Sequence, residues 1–136
     1  MKINFAIFAF FATCIISAEV YPQEKETTPN LSGNWTGSWF TEGSGHKGPM
    51  KAIFKSSGND TYEVAFSGRF LKFIPFRYKV HLTVTGKEGK KLILNGNQKL
   101  LGFGIFEYNA IADDTSFIAN YSSKKDNGRF ELYRSK

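Results

Sequence analysis

Residues 76–85 read Phe-Arg-Tyr-Lys-Val-His-Leu-Thr-Val-Thr, an unbroken alternation of apolar and polar side chains. Phe76, Tyr78, Val80, Leu82 and Val84 fall on one face, and Arg77, Lys79, His81, Thr83 and Thr85 on the other. Successive side chains of an extended backbone point to opposite sides, so this period of two predicts a β-strand with one face in a core and one in water. The pattern recurs along the chain. Residues 31–40 place Gly33, Trp35, Gly37 and Trp39 together, 50–56 place Met50, Ala52 and Phe54 together, and 61–70 do so with Tyr62, Val64, Phe66 and Phe70. Further strands are predicted over 91–95, 103–112, 116–122 and 129–134. Turn-forming residues separate them, including Ser57-Gly58-Asn59-Asp60, Asp113-Asp114-Thr115 and Asp126-Asn127-Gly128. No amphipathic helical pattern competes over this stretch. Eight strands joined by short connections predict an all-β meander. Eight is also a number at which a sheet closes and removes both unpaired edges, so the expected fold is a closed eight-stranded antiparallel up-and-down barrel.

In a meander, alternate connections share one end. Residues 41–49, 71–75, 96–102 and 123–128 would lie together, and two of these segments contain apolar residues (Leu71, Phe73 and Ile74; Leu100 and Leu101). The opposite turns are tight and polar. A shut base and an adaptable mouth are what a ligand-receiving barrel needs. By parity the interior should hold Trp39, Phe54, Phe66, Tyr78, Phe106, Tyr108, Phe117, Tyr121 and Phe130. These rings either line a pocket or fill the interior, which in an eight-stranded barrel is only just wide enough for side chains. Trp39, Phe54, Phe66, Tyr78, Phe106, Tyr108 and Tyr121 are therefore candidate ligand-binding residues. The tyrosines matter most, because a buried hydroxyl needs a partner that a ligand can supply. His46, within Gly43-Ser44-Gly45-His46-Lys47-Gly48-Pro49, is a further candidate, with backbone amides nearby for an anionic headgroup.

Of the 136 residues, the first eighteen should stand apart from the domain. Lys2 is followed by an apolar run over 3–16, broken only by Asn4 and Thr13, and then by the small pair Ser17-Ala18. This is the anatomy of a secretory signal peptide cleaved after Ala18, and it implies a secreted or periplasmic protein. Residues 19–30 read as a flexible polar lead, and 31–136 as the barrel domain. The single cysteine, Cys14, lies inside the leader, so the domain has no disulfide, thiol nucleophile or cysteine-based metal site.

From Leu31 onward there are sixteen Lys or Arg against nine Asp or Glu. Lys51, Lys55, Arg69, Arg77 and Lys79 should all point outward on three consecutive strands, a cluster suited to an anionic surface. Nucleic acid is disfavoured as a partner, since the rings that would stack on bases face the other way. His81 falls on the outward face. The two histidines lack the spacing of a metal site, no cofactor is implied, and neither a nucleophile elbow nor a phosphate-cradling loop is present. A binding protein rather than an enzyme is expected.

Gly33-Asn34-Trp35 opens the first strand at the closed end, and Arg134 ends the last strand facing inward. Closure would make these strands neighbours, with the guanidinium lying on the indole. A secreted chain with Gly-x-Trp on its first strand, a β-meander and an Arg at the end of its last strand resembles the lipocalin-like (calycin) group. The resemblance spans residues 31–134 in pattern and rests on Gly33, Trp35 and Arg134. The domain departs from lipocalins in being shorter and in lacking cysteines and a helix after the barrel. The resemblance implies a barrel that binds a small hydrophobic or amphipathic molecule. The competing reading is a filled barrel acting as a protein-interaction or inhibitor module through its mouth loops. A membrane-spanning barrel is disfavoured, because several expected strands fall short of the roughly nine to eleven residues a spanning strand needs.

Overall fold

The computed structural model describes residues 17–22, 27–100 and 104–136, with the side chain of Leu100 left aside. The expected leader, apart from Ser17 and Ala18, lies outside the described residues together with Cys14 and Leu101. Eight strands follow in order: β1 (Gly33–Thr41), β2 (Lys47–Gly58), β3 (Thr61–Phe70), β4 (Ile74–Glu88), β5 (Lys91–Leu100), β6 (Gly104–Ala112), β7 (Ser116–Ser122) and β8 (Asn127–Arg134). Each pairs antiparallel with the next, and β1 pairs with β8 to close the barrel. The closing register runs from Trp35 opposite Arg134 to Thr41 opposite Gly128. No helix among the described residues is long and apolar enough to cross a membrane.

Alternation is the reason for the fold. Along β3, Tyr62, Val64 and Phe66 are buried, and along β6 so are Phe106, Tyr108, Ala110 and Ala112. The turns follow from local chemistry. Asn59 and Asp60 take left-handed φ values of 49° and 57°, a conformation that Asn and Asp tolerate and that twists a two-residue hairpin correctly. At the β6–β7 turn, the Asp113 Oδ1 accepts from the backbone N–H groups of Thr115 (2.9 Å) and Ser116 (2.8 Å) and from both of their hydroxyls. These hydrogen bonds hold the Asp113 carboxyl down at about 2, against an ordinary value near 3.8.

Several strands run longer than the alternation suggested. The segment 91–95 extends to Leu100, because Gly96 pairs with Tyr108 and Asn97 with Glu107. A Cβ on Gly96 would lie 2.5 Å from the His81 carbonyl oxygen, so the glycine marks a close approach of two strands rather than a turn. The segment 50–56 begins instead at Lys47, since Gly48 pairs with Trp39 and leaves room for its indole; a Cβ there would stand 2.7 Å from Nε1. The glycine-rich connection thus shrinks to residues 42–46.

The core divides along the barrel axis. Leu31, Trp35, Phe54, Leu82, Phe117 and Leu132 fill the base, each fully or almost fully buried. Their rings interlock at close range, with Trp35 5.5 Å from Phe54 and Phe54 5.1 Å from Phe117. Ala110 and Ala119 pair across β6 and β7, where small side chains leave space for the rings opposite. The guanidinium of Arg134 lies over Trp35 at 4.6 Å. It donates to the carbonyls of Asn30 (2.6 Å), Ser32 (2.8 Å) and Asp114 (2.7 Å), strapping residues 30–32 across the bottom. Leu31 is held beneath that strap: its carbonyl accepts from Trp35 Nε1 at 2.9 Å and its N–H donates to the Tyr62 hydroxyl at 3.3 Å. Gly33 sits where only glycine fits, with φ +126° and the Arg134 head 3.2 Å from any added Cβ.

Candidate functional site

Above this filled base the interior opens. A cavity of about 310 Å³ lies at the end opposite Arg134, between the last residues of β1, β3 and β7 and the first of β4, β6 and β8. Its apolar wall is Trp39, Phe70, Phe76, Phe106 and Phe130, and its polar atoms come from Thr41, Tyr78, Tyr108, Tyr121 and Asp126.

The wall is a continuous belt of rings. Trp39 stacks on Phe70 at 5.7 Å and meets Phe76 edge-on at 6.2 Å, and its Nε1 donates to the Arg69 carbonyl at 3.1 Å. That bond fixes the indole plane and leaves its face to the cavity. Phe76 stacks on Tyr78 at 6.0 Å, while Tyr121 packs at a tilt against Phe130 at 5.0 Å and against Phe106 at 5.9 Å. Rings locked against one another present a preformed apolar surface at little entropic cost.

The three tyrosines supply the chemistry. Tyr78 and Tyr108 share a hydrogen bond in which either hydroxyl can be the donor. Whichever hydroxyl accepts keeps its own proton to offer to a guest. Burial, reinforced by the neighbouring Tyr108, holds Tyr78 well above the ordinary value of 10.0, and burial pushes Tyr108 up to about 12 even though its bond with Tyr78 pulls the other way. Tyr121 is raised by burial and by the adjacent Asp126; its hydroxyl donates towards the Phe40 carbonyl at 3.3 Å and Asp126 Oδ2 at 3.4 Å. All three are neutral donors across the physiological range. With Asp126 as the charged group of the lining, the cavity favours an uncharged or cationic guest over an anion.

The structure brings Trp39, Tyr78, Phe106, Tyr108 and Tyr121 to the cavity and leaves three other sequence candidates off its lining. Phe54 lies deep in the base against Trp35, Tyr62 and Phe117. Phe66 is buried in the middle layer, touching Tyr78 and Phe130 from below. Parity places these two inside but says nothing of their depth. His46 sits behind the wall, its ring 5.4 Å from Phe70, with a buried Nδ1 that has no hydrogen-bond partner among the described residues. Phe70, Phe76, Phe130, Thr41 and Asp126 line the cavity without having been candidate ligand-binding residues. Phe70 and Phe76 carried the right inward parity; Asp126 read only as a turn residue. Among the described residues no three His, Cys, Asp or Glu side chains gather where they would hold a metal ion.

No protein-family model matches the chain, and no curated protein does. Among solved structures, the chain is similar to a redesigned β-barrel, mFAP1, described as bound to DFHBI. The TM-score is 0.59 at 19% identity, over 77% of this chain and 94% of that one. At that identity the likeness concerns the fold.

Proposed function

We propose that this protein is an extracytoplasmic barrel that binds a small, uncharged hydrophobic or amphipathic molecule at its open end. The observation that carries the reading is the aromatic cavity of about 310 Å³ set above a packed base. A water in the liquid occupies roughly 30 Å³, so this space suits a ligand rather than a stray solvent molecule. The apolar body of the guest lies against Trp39, Phe70 and Phe130, and a hydrogen-bond acceptor on it takes the free proton of the Tyr78–Tyr108 pair. The redesigned barrel with DFHBI supports the idea that such an architecture can hold a small molecule. The leader expected over 1–18 supports an extracytoplasmic location. The stacking of Arg134 on Trp35 beside a glycine that tolerates no side chain supports the lipocalin-like resemblance. An open upper chamber argues against the filled barrel on which the interaction-module reading depends.

Native mass spectrometry of gently purified protein tests the proposal, with titration of an environment-sensitive hydrophobic dye alongside. A copurifying lipid-like mass, or dye binding that Trp39→Ala and Tyr108→Phe both weaken, is expected. No bound compound together with dye binding indifferent to both substitutions refutes it.

A further inference from the structure

The β3–β4 connection ends the hairpin with Leu71, Lys72 and Phe73, and Ile74 opens β4. Phe73 is 86% exposed, and Leu71 and Ile74 are each more than half exposed. Leu71 and Lys72 both hold left-handed φ values, 52° and 67°, which ordinary L side chains adopt only at a cost. A branched aliphatic residue in that conformation, next to a bare phenyl ring, is not what a solubility-driven hairpin tip uses; Asn, Gly or Asp serve there, as at Asn59 and Asp60.

The flanks of this turn are basic. Arg69 lies outward on β3 one residue below Phe70, Arg77 outward on β4, and Lys51 outward on β2. The register puts Lys51, Ser67 and Arg77 in one row across three strands, with Arg69 opposite Pro75 in the row above. Lys72 adds a fourth cation within the turn. The nearest carboxylate on the outward faces of β3 and β4 is Glu63, further down the barrel and already paired with Lys79 at 3.4 Å. An apolar tip inside a collar of cations therefore stands at the mouth end. The same hairpin turns Phe70 and Phe76 inward to line the cavity.

We infer that the Leu71–Ile74 turn docks on an anionic lipid bilayer, with Phe73 and Leu71 entering the acyl region and Arg69, Lys72, Arg77 and Lys51 meeting lipid phosphates. A bilayer complements both parts of the surface, since it offers hydrocarbon just below a negatively charged layer. An acidic protein segment would match the cations and leave Phe73 in water. Docking in this pose sets the cavity mouth at the membrane, the source or destination of an apolar guest. The inference rests on the turn alone and stands whether or not the cavity is occupied.

Phe73→Trp places a reporter on the exposed tip without touching the core, and the unsubstituted chain supplies the background of Trp35 and Trp39. With mixed phosphatidylglycerol–phosphatidylcholine vesicles, emission of the new tryptophan should shift to the blue and be quenched by lipids brominated on their acyl chains. Phosphatidylcholine alone should produce neither effect. Arg69→Gln with Arg77→Gln should raise the lipid concentration for half-maximal shift roughly 25-fold, at about fivefold per cation near such a surface. Any attraction of the apolar run over 3–16 to hydrocarbon is common to neutral and anionic vesicles, so the comparison between the two removes it. No shift, or a shift equal in neutral and anionic vesicles, overturns the inference. A shift produced by polyglutamate without bromolipid quenching overturns it in favour of an acidic protein partner.

Discussion

Removing the head of Arg134 while keeping its stem, as in Arg134→Met, should destabilise the barrel by about 3 kcal/mol. The guanidinium donates three hydrogen bonds to carbonyls of Asn30, Ser32 and Asp114 and covers the Trp35 ring at 4.6 Å. Charge-assisted bonds contribute about 1.5–3 kcal/mol each when shielded. Arg134 is only partly buried and the freed carbonyls regain water, so less than 1 kcal/mol each, or about 2 in all, is a fair figure. The cation–π contact adds about 1 kcal/mol. If the strap also lifts, Leu31 loses its burial and the cost rises by about 2 kcal/mol more. Arg134→Lys keeps a charge over the indole but cannot reach three carbonyls at once, so it should fall midway, near 1.5 kcal/mol. Urea unfolding followed by tryptophan emission and circular dichroism together measures this, and coincident transitions license a two-state fit. Leu31→Ala should couple to Arg134→Met by at least about 0.5 kcal/mol, because both act on one strap. Equal stability of the Met variant and the native chain, or of the Lys and Met variants, would show that the fork does not close the base.

Two pH dependences follow from the same structure. Asp113 has a folded value of about 2, below its ordinary 3.8, so its contribution is present above about pH 4 and is lost as the pH falls through 2. Because Asp113 is only partly buried, the contribution is small; Asp113→Ala should cost about 1 kcal/mol or less at neutral pH and nothing in strong acid, by urea midpoints at each pH. Tyr78, Tyr108 and Tyr121 have folded values raised above 10.0, Tyr108 to about 12. Their contribution is therefore complete below pH 10 and declines as the pH climbs towards 12 and beyond. Tyrosinate absorbance should show Tyr78, Tyr108 and Tyr121 ionising late, and alkaline destabilisation should shrink in Tyr108→Phe; a single uniform titration near 10 would contradict the buried cluster.

The face each ring takes was legible in the chain, since a period of two assigns inside and outside one residue at a time. Trp39, Tyr78, Phe106, Tyr108 and Tyr121 could be placed in the interior on that ground, and so could Phe54 and Phe66. Their depth could not, because depth along the axis depends on the stagger between strands, a sum of pairings such as Trp35 with Arg134 and Gly96 with Tyr108. Gly48 and Gly96 misled for a related reason. Glycine is the ordinary residue of turns, and only the carbonyl or indole pressed against its missing side chain shows that here it serves close strand packing. Asp126 and the outward-turned Phe73 belong to connections, whose conformation no alternation encodes. Patterning thus specified a barrel and its two faces from local geometry alone. Long-range closure, through contacts between residues far apart in the chain, determined that the lower half is solid and the mouth is hollow.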